Sequence, residues 1–245
     1  EVRAYRECDV LVCITEALKE LVVEASGISS DKVIIVPNGV DTKVFDPDRH
    51  PPKRQFDGMT IGFVGNLYPR QGVDLLIEAL RDLRQEGLNW SLVVVGYGPM
   101  RDEWEAKARE FDLGDCVKFV GQVPWQEVPQ YIAGFDLCYT GQTQLPVGKM
   151  YHSPLKLYEY MAMAKPVVAS AFEDARRTIE ESQTGFLFEP GNVESLKQAL
   201  LRADCIKEQL PEIGKQAREV TVTQHSWKAR VRSMTARIEQ ILRSS

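Results

Sequence analysis

The sequence predicts an α/β protein built on a doubly wound parallel sheet. Two observations carry this prediction: six short apolar segments lie between residues 60 and 188, and each is followed by a segment with helical periodicity. Strands that alternate with helices at this spacing are typical of βαβ units, whose right-handed crossovers place helices on both faces of one sheet. Ligands of such sheets bind at the carboxyl ends of the strands, so the loops at that edge are the candidate functional segments.

The N-terminal part of the chain is organised differently. Residues 9–15 (DVLVCIT) are predicted as a buried strand, residues 16–26 as a helix and residues 33–36 as a second strand that runs into the turn signal PNGVD. Residues 46–58 contain three prolines and mixed charge, which is typical of a linker. The chain begins at Glu1 in the course of a predicted helix, so we expect a piece of a longer protein.

The elements of the alternating region are predicted from their apolar runs. Strands are predicted at residues 60–65, 91–96, 116–121, 135–140, 166–170 and 185–188. Helices are predicted near residues 73–86, 100–111, 125–134, 174–182 and 193–203, and one more begins at residue 153. The alternation stops after residue 203.

A last helix is predicted from His225 onward, because apolar residues recur there at spacings of three and four. Those residues are Trp227, Val231, Met234, Ile238 and Ile241. Lysine and arginine side chains occupy its other faces. Two interpretations remain open, namely a helix that docks on the protein and a basic amphipathic helix on a membrane surface.

Composition is that of a globular protein, with 44% hydrophobic and 27% charged residues in 245 positions. The net charge of −5 argues against general nucleic-acid binding. No apolar run approaches the ~18 residues of a membrane span. Cys13, Cys116 and Cys138 lie inside apolar runs, so we expect buried free thiols in a reducing, cytoplasmic compartment. The three histidines are isolated, and we predict no metal site.

The segment SPLKLYEYMAMAKPVVASA (153–171) is the leading candidate for a binding site. Ser153 is predicted as the helix N-cap and Pro154 as the first helical residue. The free N–H groups and the dipole at a helix start attract anions, and Lys156 adds a full positive charge there. Glu159 shares a helix face with Lys156 and would grip a hydroxyl group beside a bound phosphate. The alternative for this pair is a plain i,i+3 ion pair on a solvated face.

Three loops at the ligand edge accompany this helix. The loop GNLYPRQG (65–72) would bring backbone amides and Arg70 to a phosphate, or else form a plain turn. The loop GYGP (96–99) lacks the GxGxxG spacing of a dinucleotide fingerprint and is predicted as a tight turn. The loop over residues 142–151, with Gly148 and Lys149, has the length of a functional or mobile loop.

Taken in order, the motifs resemble those of glycosyltransferase family 4, the group 1 retaining sugar-nucleotide transferases of GT-B fold. The matching segments are VIIVPNGVDTKVF (33–45), FVGNLYPRQGVDLLIEAL (63–80), VVVGYGP (93–99), VKFVGQV (117–123), SPLKLYEYMAMAKPVVAS (153–170) and TGFLFEPGN (184–192). The ordered set is specific and covers almost the whole chain. The resemblance implies two Rossmann-like domains, an N-terminal one for the acceptor and a C-terminal one for the nucleotide-sugar donor, with the active site in the cleft.

The resemblance also implies a division of this chain. Residues 1–46 would be the tail of the acceptor domain with the crossover, 47–57 a linker, 58–225 the donor domain and 226–245 a helix that packs back. Most of the acceptor domain would then be missing. We therefore expect the chain alone to bind nucleotide weakly and to turn over nothing.

Residue roles carried over from the family concern the donor. Glu159 matches the second glutamate of an E-x7-E motif, which hydrogen-bonds the ribose hydroxyls; the backbone near Leu155 would hold the diphosphate, and Gln122 and Val123 would lie near the base. The predicted donor-binding residues are Gly65, Asn66, Arg70, Gln71, Gln122, Val123, Ser153, Pro154, Leu155, Lys156 and Glu159. No catalytic residue is assigned.

Three positions depart from the family pattern. Tyr151 stands where the first glutamate of E-x7-E belongs, which puts the usual grip on the donor sugar in doubt. Asn66 and Gln71 stand where the family has an arginine and a lysine that counter the donor phosphates. We predict that Arg70 and Lys156 replace those charges.

The sequence thus predicts the donor-binding part of a transferase that moves a sugar, with retention, from a UDP-, GDP- or ADP-sugar to a glycan, lipid or small molecule. No metal or other cofactor is predicted. Two alternatives remain open: a sugar-nucleotide 2-epimerase-like isomerase, and a catalytically degenerate nucleotide-binding or scaffold subunit. A dehydrogenase is disfavoured because no GxGxxG opens the first βα unit. No nucleic-acid partner and no transmembrane segment are predicted, and peripheral membrane contact remains open.

Overall fold

The computed structural model describes residues 2–144 and 150–244. Its strands in these ranges are β1 (Leu11–Cys13), β2 (Val33–Ile35), β3 (Thr60–Val64), β4 (Ser91–Val95), β5 (Val117–Gly121), β6 (Leu137–Thr140), β7 (Val167–Ser170) and β8 (Gly185–Phe188). Its helices are α1 (Val2–Glu7), α2 (Glu16–Ser26), α3 (Val73–Gln85), α4 (Arg101–Glu110), α5 (Val128–Ala133), α6 (Leu155–Ala162), α7 (Glu173–Thr178), α8 (Val193–Cys205), α9 (Leu210–Val220) and α10 (Trp227–Ser244).

The six strands from β3 to β8 form one parallel sheet in the order β5-β4-β3-β6-β7-β8. Relative to the first of these strands, the order is the 3-2-1-4-5-6 arrangement of a doubly wound Rossmann-like fold. The predicted fold class is therefore confirmed. The strand order reverses between β3 and β6, and such folds bind their ligands in the crevice beyond the strand ends at that point.

Both faces of this sheet are buried, which explains why its strands are apolar runs. Along β4, Leu92 and Val94 face one core cluster, whereas Val93 and Val95 face another. Helices α3 and α8 cover the first face and α6 covers the second, while α9 contributes Leu210 and Ile213 to the first cluster and Ala217 to the second.

A smaller unit precedes this sheet. Strands β1 and β2 pair in parallel, and α2 packs on them around Cys13, Ile28 and Val33. Thr15 caps α2, since its hydroxyl accepts a hydrogen bond from the N–H of Leu18 at 3.2 Å.

Some predicted helices have different bounds. Residues 125–134 divide into a 3₁₀ turn at Trp125–Glu127 and the short helix α5. Helix α7 ends at Thr178 because Ile179 is extended and buried. Helix α9 follows the predicted end of the alternation and was not predicted. Its buried residues Leu210, Ile213, Gly214 and Ala217 form one helix face, and a Cβ on Gly214 would lie 2.0 Å from the carbonyl oxygen of Ala164.

The proline-containing segment after Asp46 runs along the larger unit. The N–H of Lys53 donates to the carbonyl of Gln130 at 2.9 Å, and the Arg54 guanidinium forms two hydrogen bonds to the Asp136 carboxylate. Gly134 permits this approach, because a Cβ there would lie 2.8 Å from the Lys53 carbonyl oxygen. The segment is thus held against α5 and β6.

The end of the chain returns to the segment after β2. The N–H of Trp227 donates to the carbonyl of Val40 at 3.1 Å, and the Trp227 ring would contact a Cβ on Gly39. This attachment favours the docking interpretation of α10, although Trp227 and Val231 remain 45% and 50% exposed. No helix within the described ranges combines the length and apolarity needed to cross a membrane.

Candidate functional site

The first turn of α6 lies beside the crevice, but it is built differently from the prediction. The helix begins at Leu155, and Pro154 occupies the N-cap position without a side-chain cap. The prediction of Ser153 as N-cap is wrong, because tertiary partners take its hydroxyl. That hydroxyl donates to Oδ2 of Asp174 at 2.8 Å and accepts from the N–H of Asn38 at 3.0 Å.

The start of α6 presents free N–H groups even without a Ser153 cap. In the part of the chain that the structure describes, no protein acceptor takes the N–H groups of Leu155 and Lys156. Free N–H groups at the positive end of a helix dipole are the usual partners of a phosphate oxygen. Leu155 is also exposed, so a ligand has access to this turn.

Lys156 joins α6 to the loop that follows β3. Its ammonium donates to Oε1 of Gln71 at 2.8 Å and lies 3.9 Å from the centre of the Phe63 ring. Gly65 makes room for it, because a Cβ there would lie 2.8 Å from Nζ. Burial lowers the pKa of Lys156 to about 7, and the charge of Arg70 adds to this shift while Glu159 opposes it.

Glu159 presents a carboxylate with free acceptor capacity. Among the described residues it forms neither an ion pair nor a side-chain hydrogen bond, since Lys156 bonds to Gln71 instead. The alternative of a plain Lys156–Glu159 surface pair is therefore not what the structure contains. Burial raises the pKa of Glu159 to about 6, and the charge of Lys156 partly offsets this shift.

Arg70 and Asn66 lie on the exposed rim of the same loop. The Arg70 guanidinium stands 5.3 Å from the centre of the Tyr68 ring. Its charge contributes to the lowered pKa of both Lys156 and His152, which places it near the start of α6. Arg70 thus adds a solvent-facing cation beside the half-buried one.

The tight turn predicted at Gly96–Pro99 packs directly against the loop after β3. The N–H of Leu67 donates to the carbonyl of Tyr97 at 3.0 Å. Gly98 cannot carry a side chain, because a Cβ would lie 2.5 Å from the Leu67 carbonyl oxygen. The ring of Tyr97 is 66% exposed at the ligand edge.

Gln122 and Val123 lie at the same edge of the sheet but further from α6. They follow β5, which β4 separates from β3. Gln122 is exposed, and Val123 packs against the core cluster on the α6 face. The structure thus brings Gly65, Arg70, Gln71, Lys156 and Glu159 together and leaves Gln122 and Val123 at a distance.

The loop predicted over residues 142–151 is described only at its ends. Gly148 and Lys149 lie outside the described residues. Tyr151, at the position of the expected acid, is half-buried, and its ring centre lies 4.8 Å from that of His152.

A polar network behind the start of α6 was missed at the sequence level. Asp174 accepts hydrogen bonds from Ser153 and, at 2.7 Å, from the hydroxyl of Tyr158. Arg230 of α10 donates to that hydroxyl at 3.4 Å and to the carbonyl of Asn38 at 3.3 Å. The network fixes the helix start relative to the segment after β2 and to α10. Its only sequence signal was the turn PNGVD, which contains Asn38.

The described residues contain no cluster of three or more histidine, cysteine or acidic side chains suited to a metal ion. The thiols of Cys13 and Cys138 are buried and free, as predicted, whereas Cys116, also predicted as buried, is free but only partly buried; burial raises the pKa of Cys138. The candidate site thus consists of the cations Lys156 and Arg70, the free N–H groups at the start of α6 and the carboxylate of Glu159.

Comparisons with known proteins agree with this architecture. The family model "Glycosyl transferases group 1" matches residues 45–220, and "Glycosyltransferase Family 4" matches residues 1–44. Among curated proteins, the chain is 28% identical over 200 residues to the amylovoran biosynthesis glycosyltransferase AmsK of Erwinia amylovora, covering 82% of this chain and 48% of AmsK. It is 27% identical over 202 residues to a GDP-mannose-dependent phosphatidylinositol monomannoside mannosyltransferase of Mycobacterium tuberculosis, covering 78% of this chain and 52% of that protein.

Solved structures share the fold. A glycosyltransferase from Rickettsia africae superposes with a TM-score of 0.80 at 20% identity, over 100% of this chain and 67% of that one. HepE of Anabaena, solved with UDP and glucose, superposes with a TM-score of 0.78 at 19% identity, over 98% of this chain and 66% of that one. The chain spans about half the length of the curated relatives it matches. It has the Rossmann-like sheet of GT-B glycosyltransferases and belongs to the group 1 glycosyl transferases.

Proposed function

We propose that this chain is the donor-binding part of a retaining glycosyltransferase that uses a nucleoside-diphosphate sugar. The observation that carries the proposal is the arrangement at the switch point of the sheet. The half-buried Lys156 and Glu159 lie within one turn of the helix start, where the N–H groups and the Glu159 carboxylate have no partner among the described residues. Arg70 stands on the rim of the same crevice.

Each group has a role that suits its chemistry. The amides of α6 and the cations Lys156 and Arg70 take the diphosphate, and Glu159 accepts the ribose hydroxyls. When the sugar leaves, negative charge develops on the diphosphate, so the same cations stabilise the leaving group. On this account the reaction needs no metal ion, because protein charges and the helix dipole offset the phosphate charge.

The proposed division of the chain follows the same logic. The segment before residue 47 belongs to an acceptor-binding domain, residues 58–225 bind the donor, and α10 braces the acceptor side. The acceptor, whether a glycan, a lipid or a small molecule, would contact mainly the part of the protein outside this chain. The relatives are named as glycosyltransferases, so the isomerase and scaffold alternatives are not favoured.

The test begins with a calorimetric screen of UDP-, GDP- and ADP-sugars against this chain and against a longer protein that contains it. We expect one nucleotide to bind both, and transfer with retained anomeric configuration in the longer protein only. Absence of nucleotide binding in both proteins would overturn the proposal. Conversion of the donor sugar without an acceptor would show an isomerase instead, and tight binding without turnover would show a scaffold.

A further inference from the structure

A cavity apart from the Lys156 crevice lies beside Asp174 and His225. Its volume is about 350 Å³, at the lower end of the range for small-molecule sites. It is enclosed by α2, the end of β2, α7 and α10. Its charged lining residues are Glu16, Lys19, Asp174, Arg177, Arg230 and Arg237. Val33 and Ile35 of β2 and Pro37 after it add an apolar part to the lining.

The cations of this cavity are incompletely neutralised. Among the residues described, Lys19 and Arg237 have no ion-pair partner, and Arg230 bonds only to the uncharged oxygens of Asn38 and Tyr158. Arg177 pairs with Glu173 at 3.0 Å. Both oxygens of the Asp174 carboxylate already accept hydrogen bonds, from Ser153 and Tyr158. Glu16 is the other carboxylate of the lining, and it faces the three cations Lys19, Arg230 and Arg237, so the remaining surplus of positive charge suits an anion.

His225 supplies an independent observation. It lines the cavity, is only 6% exposed, and neither of its ring nitrogens has a hydrogen-bond partner among the described residues. A buried polar group without a partner is costly and calls for an explanation. Its ring lies 5.4 Å from that of Tyr158. Burial and the nearby Arg230 charge lower the pKa of His225 to about 4, so the ring is neutral and has one N–H to donate. A ligand oxygen in the cavity would satisfy it.

We propose that this cavity binds the phosphate group of a phosphate monoester, with Lys19, Arg230 and Arg237 as cations and His225 as a neutral donor. Arginine and lysine match a phosphate dianion in charge and hydrogen-bond number. The shared chemistry fits a small phosphorylated compound as well as a phosphorylated lipid headgroup. The site is separate from the Lys156 crevice, because Tyr158 of α6 and Ser153 before that helix bond to Asp174, whereas Lys156 bonds to Gln71.

The three histidines of the chain provide a direct readout. His225 reports on the cavity, and His152, whose pKa is lowered by burial and by the Arg70 charge, reports on the nucleotide site. His50 bonds to the Val44 carbonyl at 2.8 Å and serves as internal control. Inorganic phosphate and glycerol 1-phosphate are titrated at low ionic strength while the ring resonances are recorded by NMR. We expect His225 to shift saturably and His50 to stay unchanged.

Variants distinguish direct binding from an indirect effect. Lys19→Gln and Arg237→Gln alter side chains near the surface and are expected to keep the fold, which circular dichroism verifies. We expect each to raise the dissociation constant read at His225 by about tenfold. Arg232→Gln, on an exposed position of α10 outside the cavity, is the matched control and should change nothing. Arg70→Gln should leave the His225 titration intact.

The source of the phosphate is resolved by a parallel experiment. Phosphatidylcholine vesicles with and without phosphatidic acid are sedimented with the wild-type chain and the Lys19→Gln variant. Sedimentation that needs both phosphatidic acid and Lys19 identifies a lipid headgroup, and its absence identifies a free compound. A response at His152 alone, no response at any histidine, or a His225 shift that survives both cavity substitutions overturns the proposal.

Discussion

Lys156 donates a hydrogen bond of 2.8 Å to Gln71, a residue 85 positions earlier in the chain. The bond ties α6 to the loop after β3 across the switch point of the sheet. It also keeps the ammonium apart from Glu159, so that a cation and a carboxylate are available separately.

Lys156 and Arg70 should contribute unequally to nucleotide binding. We expect Lys156→Ala to weaken binding of the preferred nucleoside diphosphate about tenfold or more, because it removes a half-buried charge-assisted contact. Arg70→Ala should weaken nucleotide binding only about two- to fivefold, since solvent screens an exposed charge. Lys118→Ala, on an exposed position of β5, is the control. Calorimetry measures all three, and unchanged affinity in both site variants would contradict the assignment.

The affinity for a nucleotide sugar should depend on pH with two limbs. Bound diphosphate favours the charged form of Lys156, so affinity should fall as pH rises above about 7. Ribose hydroxyls need an ionised Glu159, so affinity should also fall as pH drops below about 6. A nucleotide sugar is the proper ligand because its diphosphate does not titrate in this window. Lys156→Met should flatten the upper limb and Glu159→Gln the lower one; a variant profile like that of wild type would count against the role of that residue.

How much of the site was predictable from sequence depends on the distance between partners. The alternation of apolar runs was sufficient for the sheet, since both of its faces are buried. The partners of Ser153 and Lys156 could not be predicted from local pattern, because Asn38, Asp174 and Gln71 are distant in sequence and only the fold brings them close. Helix α9 was missed although local pattern could have predicted it, since Leu210, Ile213, Gly214 and Ala217 follow the i, i+3, i+4, i+7 spacing of a buried helix face.

Gly98 should be intolerant of a side chain for steric reasons alone. Gly98→Ala would place a methyl group 2.5 to 2.8 Å from the backbone of Leu67 and push the loop after β3 out of place. We expect it to lower the free energy of unfolding by about 1–3 kcal/mol. Gly58→Ala, where a Cβ meets nothing within 4 Å, should be nearly neutral. Urea unfolding measures the free energy of unfolding of both variants. Equal stabilities would contradict the close packing of Gly98 against the loop after β3.

His225 should make the fold sensitive to acid. Burial and the Arg230 charge lower its pKa to about 4 from an ordinary value near 6.5, so its stabilising contribution is complete above 6.5 and is lost as pH falls through 4. Between pH 7 and 4.5 we expect this group to account for about 2–3 kcal/mol of lost stability. His225→Gln should lose less stability over that range than His50→Gln does. An identical acid response in the two variants would rule out this role for His225.

The central claim is that Glu159 holds the ribose of a nucleotide whose phosphates lie at the start of α6. Its most direct test compares the preferred nucleoside diphosphate with its 2′,3′-dideoxy analogue by calorimetry, in the wild-type chain and in Glu159→Ala. The account predicts that wild type binds the dideoxy analogue about tenfold more weakly or worse, since hydrogen bonds to a charged group are lost, and that the variant binds both ligands alike. A variant that still discriminates between them as strongly as wild type would contradict it.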